Sequence, residues 1–137
     1  MSGPGETEFE PKAWRITQQV VDRYADLSGD HNPLHVDPAF AARTPFGATI
    51  AHGGVPLQCL YTALAEWLGR PGLVGISLEA AFLAPTMAES TIACRVVGSD
   101  TEAEGERFEL ECVDVDGTRT VAATATVRPS PPRATPR

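Results

Sequence analysis

The stretch that decides the fold of this chain is residues 54–68, which read GVPLQCLYTALAEWL. Apolar side chains occupy almost every position. The polar exceptions are Gln58, Thr62 and Glu66. A helix that is apolar nearly all round belongs in an interior, wrapped by other structure. Pro56 falls in its first turn, where a missing N–H does no harm, and Gly69 ends it. The stretch therefore predicts a long buried helix, too short and too interrupted to span a membrane.

The part of the chain that follows this helix has the pattern of an antiparallel sheet. The predicted strands are residues 73–83, 90–97, 107–115 and 118–127. The later three are rich in Val, Thr and Ile or alternate apolar with polar residues, and Asp116-Gly117 is a strong hairpin signal between the last two. Residues 9–16 predict a further edge strand. A buried helix facing a sheet that bends around it is an α+β fold. Because one sheet leaves a strand edge and apolar surface open, we expect a dimer.

Two shorter helices are predicted ahead of the buried one. Thr17 is a suitable N-cap for the first, whose apolar residues recur at helical spacing until Gly29. Gly29 takes a left-handed conformation at low cost, so it ends the helix and leaves Asp30 at a reversal of the chain. A second, short helix is predicted over residues 38–43, opened by a proline at its first position.

Length and composition limit the possible functions. The 137 residues predict one domain over residues 9–128, between a flexible segment, 1–8, and a disordered proline-rich tail, 129–137. The formal net charge of −7 argues against nucleic acid or an anionic membrane as a partner. Three widely spaced cysteines form neither a metal-ligand pattern nor a disulfide framework, and no signal-peptide segment follows Met1. We therefore expect a cytoplasmic protein with reduced thiols.

The residues suited to chemistry lie just before the buried helix. Asp30 precedes His35 by five residues, with an Asn-Pro turn between them, which we predict as a loop (residues 32–33). A carboxylate and an imidazole held close by a rigid turn are what proton transfer on a water molecule needs. Further on, Gly53 and Gly54 open the buried helix. Free N–H groups at a helix start suit a developing oxyanion.

Simpler interpretations of the same residues stay open. Asp30 could merely satisfy loop amides, and His35 could be a hydrogen-bonded loop histidine. The helix-opening glycines could simply permit tight helix–sheet packing. His52 suits a structural hydrogen bond as well as a substrate contact. His31 and His35 are four residues apart, as in some metal sites, but the proline between them disfavours a regular helix, so we expect no metal.

These motifs resemble those of a known family. Residues 24–35 carry the pattern Tyr-Ala-x-Leu-Ser-Gly-Asp-x-Asn-Pro-x-His, which resembles the hydratase 2 motif of MaoC-like proteins, among them (R)-specific enoyl-CoA hydratases. Residues 50–53, Ile-Ala-His-Gly, resemble the next block of that family, and residues 82–85 resemble its later Phe-x-x-Pro motif. The resemblance covers residues 10–128. It implies a hot-dog fold, in which an antiparallel sheet wraps around a long helix, usually as a dimer.

The resemblance implies addition of water to a 2-enoyl thioester, or the reverse dehydration of an (R)-3-hydroxyacyl thioester, without a cofactor. Asp30 and His35 would activate one water and return a proton to the same face of the substrate, and the N–H of Gly53 would bind the thioester oxygen. Other residues expected to bind or orient the substrate, the catalytic loop or His35 are Asn32, Gly54 and His52. The substrate would be carried on CoA or on acyl-carrier protein, and the protein would be a homodimer.

The chain departs from the family pattern at two places. The family commonly has His-Gly-Met, whereas here Gly54 follows the His-Gly pair, which predicts an acyl pocket of different shape. The family often has Gly-Asp a few residues after the later proline, whereas residues 86–90 read Thr-Met-Ala-Glu-Ser, a turn variation with little effect on chemistry.

Three other functions stay open. A thioesterase on the same fold would direct water at the carbonyl carbon, which the Asp-x-Asn-Pro-x-His loop argues against. A binding or structural subunit would leave the chemistry to its partner in a heterodimer. The presence of both Asp30 and His35 argues against an inactive subunit, though not against the active half of such a pair. A tailoring dehydratase or isomerase would act on a carrier-bound chain, and the departure at Gly54 keeps that alternative open.

Overall fold

A fifteen-residue helix packs against a five-stranded antiparallel sheet in the computed structural model, which describes residues 9–69, 75–103 and 105–129. In chain order the elements are β1 (Lys12–Ile16), α1 (Gln18–Ser28), α2 (Pro33–Val36), α3 (Pro38–Ala42), α4 (Gly54–Leu68), β2 (Ile76–Phe82), β3 (Ser90–Glu102), β4 (Gly105–Asp114) and β5 (Arg119–Val127). The predicted α+β class, with a sheet on one long central helix, is confirmed.

The strands lie in the order β1-β3-β4-β5-β2, and each neighbouring pair is antiparallel. The predicted hairpin joins β4 to β5. There the Asp114 carboxylate accepts hydrogen bonds from the N–H groups of Asp116 and Thr118, and Gly117 has a φ of 83°, which favours glycine. β1 and β2 form the two edges of the sheet, so these two strands have an unpaired side among the described residues.

The core lies between α4 and one face of the sheet. Because side chains alternate along a strand, every second residue of β3, β4 and β5 points towards the helix. The largest buried side chains that meet there are Leu60, Leu64, Ile92, Phe108, Leu110 and Val121. The same alternation puts Ile76, Leu78 and Phe82 of β2 on the helix side. Ile76 and Leu78 pack on the core, whereas Phe82 is 53% exposed, so the core opens at this end of the edge strand.

The ends of α1 follow the sequence prediction. The Thr17 hydroxyl accepts a hydrogen bond from the N–H of Val20 at 3.1 Å. Gly29 has a φ of 80° and donates to the carbonyl of Ala25 at 2.8 Å, which terminates the helix. Asp30 consequently lies directly beyond the C-cap. Within the described ranges, no helix has the length and apolarity needed to cross a bilayer.

The loop prediction at residues 32–33 is confirmed for Asn32 and wrong for Pro33. The short helix α2 begins at Pro33, and the Asn32 side chain caps it by accepting from the N–H of Leu34 at 3.0 Å. Proline is tolerated because the first position of a helix needs no N–H donor. Asn32 therefore stabilises the turn that carries His35. The N–H of His35 also donates to the Asn32 carbonyl, at 2.9 Å.

Strand lengths also differ from the prediction. β3 extends to Glu102, because its pairing with β4 continues past an irregularity between Val96 and Gly98. β1 begins only at Lys12, where its pairing with β3 starts. Three parts of the sequence prediction lie outside the described residues: the flexible segment 1–8, the start of a strand at residues 73–74, and positions 130–137 of the tail. The domain boundaries stay predictions.

The three cysteines are buried free thiols. Cys94 and Cys112 are cross-strand neighbours on β3 and β4, with their sulfur atoms 3.4 Å apart. The hydrogen bond with Cys112, together with burial, raises the pKa of the Cys94 thiol far above its usual range. The Cys94 side chain therefore serves as an uncharged core group.

Candidate active site

The segment between α1 and α3 brings Asp30 and His35 together. Asp30 accepts through Oδ1 from the N–H of Asn32 at 3.2 Å, which folds the turn back on itself. Its Oδ2 then lies 3.8 Å from Nε2 of His35. That separation is too long for a direct hydrogen bond, but it suits one small molecule, such as water, that is hydrogen-bonded to both side chains. The Asp30 carboxylate is 53% exposed and the His35 side chain 14% exposed.

The orientation of His35 depends on the strand-like segment that precedes α4. Nδ1 of His35 lies 2.8 Å from the carbonyl oxygen of Ile50. Because a carbonyl only accepts, Nδ1 carries a proton, and in the neutral form of the ring the lone pair lies on Nε2, which faces Asp30. The position of Ile50 is fixed in turn by a hydrogen bond from its own N–H to the carbonyl of Leu34. The next residue, Ala51, donates to Thr86 at 2.7 Å.

His52 lies behind this pair and is 5% exposed. Its ring stacks on His35 with a centroid distance of 3.8 Å, and its Nε2 donates to the backbone carbonyl of Asp30 at 2.9 Å. Its buried Nδ1 has no hydrogen-bond partner among the described residues. A bare lone pair is less costly there than an unpaired N–H, so the neutral Nε2–H form fits the site. His52 thus touches both predicted catalytic residues.

The first turn of α4 presents free donors. Gly53 has helical angles, φ −55° and ψ −30°, and its N–H, like that of Gly54, finds no acceptor within the described part of the chain. The N–H of Val55 already donates to the carbonyl of His52 at 3.0 Å, and Pro56 has none. Two N–H groups at the positive end of a fifteen-residue helix are therefore available to an anionic oxygen.

Gly53 and His35 both line a pocket of about 520 Å³ at the open end of β2. The rest of the wall is mainly apolar and includes Phe46, Phe82 and Leu83, which are each roughly half exposed. A Cβ on Gly53 would lie 3.1 Å from the Phe82 ring, so the absence of a side chain keeps that approach open. Asp30 does not line the pocket itself and reaches it through His35. This pocket, the site pocket below, suits an apolar ligand with one polar group.

Gly54 faces away from the site pocket and towards α1. A Cβ on residue 54 would overlap the hydroxyl of Tyr24, whose ring also contacts His52 with a centroid distance of 4.9 Å. The sequence carries no direct signal for this contact, because nothing local relates residue 24 to residue 54. The sequence gives no signal for the Ile50 carbonyl either, because every residue type has a backbone carbonyl.

The site fits a metal ion poorly. Asp30, His35 and His52 each offer a ligand atom, and these atoms all lie within 4.8 Å of one another. Imidazole binds a metal in the plane of its ring. The two rings, however, are stacked at 3.8 Å with an interplanar angle of 25°, so one ion cannot lie in both planes at bonding distance. His31, the other histidine considered for a metal, instead bonds to Asp26 at 2.9 Å.

The hydrogen bond with Asp26 raises the pKa of His31 above its ordinary value of 6.5, and the nearby charges of Asp26 and Asp30 act in the same direction. The His31 side chain is 56% exposed and points to solvent with its partner. It therefore belongs to the surface of the loop.

Comparison with known proteins identifies the family. The MaoC like domain matches residues 2–125, and the chain belongs to this family of (R)-hydratases and 3-hydroxyacyl-thioester dehydratases. It is 36% identical over 108 residues to a 3-hydroxybutyryl-CoA dehydratase of Methylorubrum extorquens, a match covering 79% of this chain and 68% of that protein. It is 34% identical over 82 residues to an (R)-specific enoyl-CoA hydratase of Aeromonas caviae, covering 60% and 61% respectively. These relatives are hydro-lyases.

The fold agrees with this assignment. A solved structure of an (R)-hydratase from Aeromonas caviae superposes with a TM-score of 0.78, covering 88% of this chain and 94% of that one at 24% identity. At that identity the likeness shows the fold alone. The hot-dog fold implied by the sequence motifs is thereby confirmed.

Proposed function

We propose that this protein catalyses the (R)-specific hydration of 2-enoyl thioesters and the reverse dehydration of 3-hydroxyacyl thioesters. The observation that carries the proposal is the relation of Asp30 to His35. Their side chains face each other at 3.8 Å, and the hydrogen bond of Nδ1 with the Ile50 carbonyl leaves Nε2 as the nitrogen that faces the carboxylate. A water molecule bound to both atoms would have a base beside it and a negative charge to orient it.

In the forward direction, the Asp30–His35 pair takes a proton from this water as its oxygen bonds to the β-carbon of the substrate. The electron pair of the double bond moves to the α-carbon and, by resonance, to the thioester oxygen. The Asp30–His35 pair then returns a proton to the α-carbon from the same side, which makes the addition syn. The two groups act as one unit, since closely spaced titrating sites share their protons. Water is the only co-reactant, and no cofactor is needed.

The N–H of Gly53 would bind the thioester oxygen while it carries negative charge. Two features support this role. Gly53 shares the site pocket with His35, and its N–H is unpaired within the described ranges. Donors already in place at a helix start need no reorganisation during the reaction, which makes such contacts effective. Asn32 and His52 would act indirectly, by holding the turn and the Asp30 backbone.

The names of the relatives favour CoA as the carrier of the acyl group. The two relatives described above are a 3-hydroxybutyryl-CoA dehydratase and an (R)-specific enoyl-CoA hydratase. The mainly apolar wall of the site pocket suits the hydrocarbon part of such a substrate. Acyl-carrier protein as the carrier and a cytoplasmic location stay predictions.

A homodimer would complete this end of the molecule. β2 is an edge strand, and Phe82 and Leu83, at its end, expose more than half of their side chains beside the site pocket. Pairing of two copies through this edge would satisfy its backbone groups and cover those two side chains. Size-exclusion chromatography with light scattering tests it, and a monomer at micromolar concentration would contradict it.

The decisive experiment incubates the pure protein with but-2-enoyl-CoA and longer 2-enoyl-CoAs. We expect loss of the enoyl absorbance and formation of the (R)-3-hydroxyacyl-CoA, identified by chiral chromatography. A thiol reagent added in parallel separates the alternatives. Release of free CoA without loss of the alkene would mean thioester hydrolysis and would refute the proposal, as would an (S) product.

A further inference from the structure

The contact between Tyr24 and Gly54 lies at the start of α4, which is flanked by two pockets. Gly53 and Pro56 line the site pocket, whereas Val55 lines a second cavity, so the two pockets lie on different sides of the first turn of α4. The Tyr24 hydroxyl stands where a Cβ on residue 54 would be, and its ring rests on His52. Tyr24 is also part of the wall of the second cavity. Its side chain therefore forms the side of the second cavity that adjoins His52 and the start of α4.

The second cavity has a volume of about 300 Å³ and lies between β1, α1 and α4. The surface inside it is predominantly apolar, and its apolar lining comes from Trp14, Ile16, Val20, Leu27, Val55 and Cys59. Burial raises the pKa of the Cys59 thiol to about 11, so this group is uncharged at neutral pH. Such a space favours an uncharged aliphatic chain over a polar ligand.

We propose that Tyr24 is the residue that limits the length of the acyl chain, an inference that rests on the function proposed above. A thioester held at Gly53 has its β-carbon near His35, and a longer chain would continue past the start of α4. There it meets the Tyr24 phenol over Gly54. Without the phenol, the site pocket and the second cavity would join, and the distal methylene groups would enter apolar surroundings. With it, short chains are preferred.

The test compares kcat/KM for but-2-enoyl-CoA and oct-2-enoyl-CoA in the natural protein and in Tyr24→Ala. We expect the octenoyl-to-butenoyl ratio to rise by at least about tenfold in the variant, since each methylene in an apolar pocket contributes roughly that much. A ratio is the appropriate measure because losing the ring beside His52 lowers turnover of both substrates alike. An unchanged ratio, or a natural protein that already converts both substrates equally well, would overturn the inference.

Two further variants control for general changes in the cavity. Leu27 lines the cavity one turn along α1 from Tyr24 and is 85% exposed. Leu27→Ala should leave the ratio unchanged, because it does not open the path from Gly53. Val20 lines the same cavity and is partly exposed, so Val20→Phe adds bulk with little risk to folding. Combined with Tyr24→Ala, it should reverse the gain for the octenoyl substrate.

Binding measurements separate failure of this inference from failure of the proposed function. If neither protein hydrates either substrate, the proposed function is refuted. Calorimetric titration with butanoyl-CoA and octanoyl-CoA, which cannot be hydrated, then tests Tyr24 directly. Tyr24→Ala must strengthen octanoyl-CoA binding relative to butanoyl-CoA, again by about tenfold. An equal effect on both ligands would overturn the inference.

The contact itself is tested by Gly54→Ala in two backgrounds. With Tyr24 present, the new methyl group overlaps the hydroxyl, and we expect a lower melting temperature by about 3–8 °C. In Tyr24→Ala, the same substitution should raise the melting temperature, because alanine is a better helix former than glycine. Equal shifts in both backgrounds would show that the two residues do not meet.

Discussion

His35 donates through Nδ1 to the carbonyl oxygen of Ile50 at 2.8 Å, and this bond decides which nitrogen of the ring faces Asp30. The Ile50 carbonyl belongs to a segment held between α2 and residues 86–88. The tautomer of the histidine is consequently set by the packing of three separate chain segments. A rigidly held imidazole with one free lone pair is suited to act as a base without rearrangement.

Substitution of either member of this pair should abolish most activity. We expect Asp30→Asn and His35→Asn to lower kcat by about two to four orders of magnitude, the usual contribution of a positioned acid or base. Loss of enoyl absorbance measures the rate, and the melting temperature checks folding. His31→Asn is the matched control, because this histidine lies on the same loop but pairs outward with Asp26. Near-normal turnover in either of the first two variants would contradict the mechanism.

The backbone donor of Gly53 can be removed by proline. Gly53 has a φ of −55°, which the proline ring allows, so Gly53→Pro deletes the N–H at small conformational cost. We expect kcat to fall by about 10²–10³, the effect of losing one oxyanion donor. Gly53→Ala keeps the N–H, and its methyl group meets only the outer end of the half-exposed Phe82 ring. Similar kcat values for the two variants would argue against an oxyanion role.

His52 should act as a positioning residue. Its Nε2 supports the Asp30 carbonyl, and its ring stacks on His35. We expect His52→Leu to lower kcat by about tenfold, the equivalent of one hydrogen bond, with little change in KM. Glutamine carries an N–H donor at nearly the position of Nε2, so His52→Gln should recover much of the loss. Equal defects in both variants, or an effect on KM alone, would contradict this role.

The surface pair of His31 and Asp26 makes a prediction about pH. Because the hydrogen bond raises the pKa of His31 in the folded protein, its stabilising effect is complete below about pH 6.5 and is lost as the pH rises through the folded-state pKa. The destabilisation caused by Asp26→Asn should therefore be larger near pH 5.5 than near pH 9. Melting temperatures measure it, and NMR titration of His31 should show its pKa fall in the variant.

The local elements of this protein followed from the sequence. The apolar stretch at residues 54–68, the cap at Thr17, the left-handed end at Gly29 and the hairpin at residues 116–117 all appear where the sequence predicted them. Each is governed by interactions within a few residues. The error at Pro33 came from continuing the loop past Asn32. Asn32 avoids the helical region, as a residue before proline should, but it also caps a helix that this proline begins.

Chain order also brought Asp30 and His35 close, since only five positions and one turn separate them, and it placed two glycines at the start of the central helix. Tertiary packing alone decided how these groups are used. It set the Ile50 carbonyl against His35 across 15 positions and His52 against the Asp30 carbonyl across 22. It also placed Tyr24 over Gly54. Such contacts join backbone atoms and rings from distant segments, and their geometry depends on how whole elements pack, which no local pattern encodes.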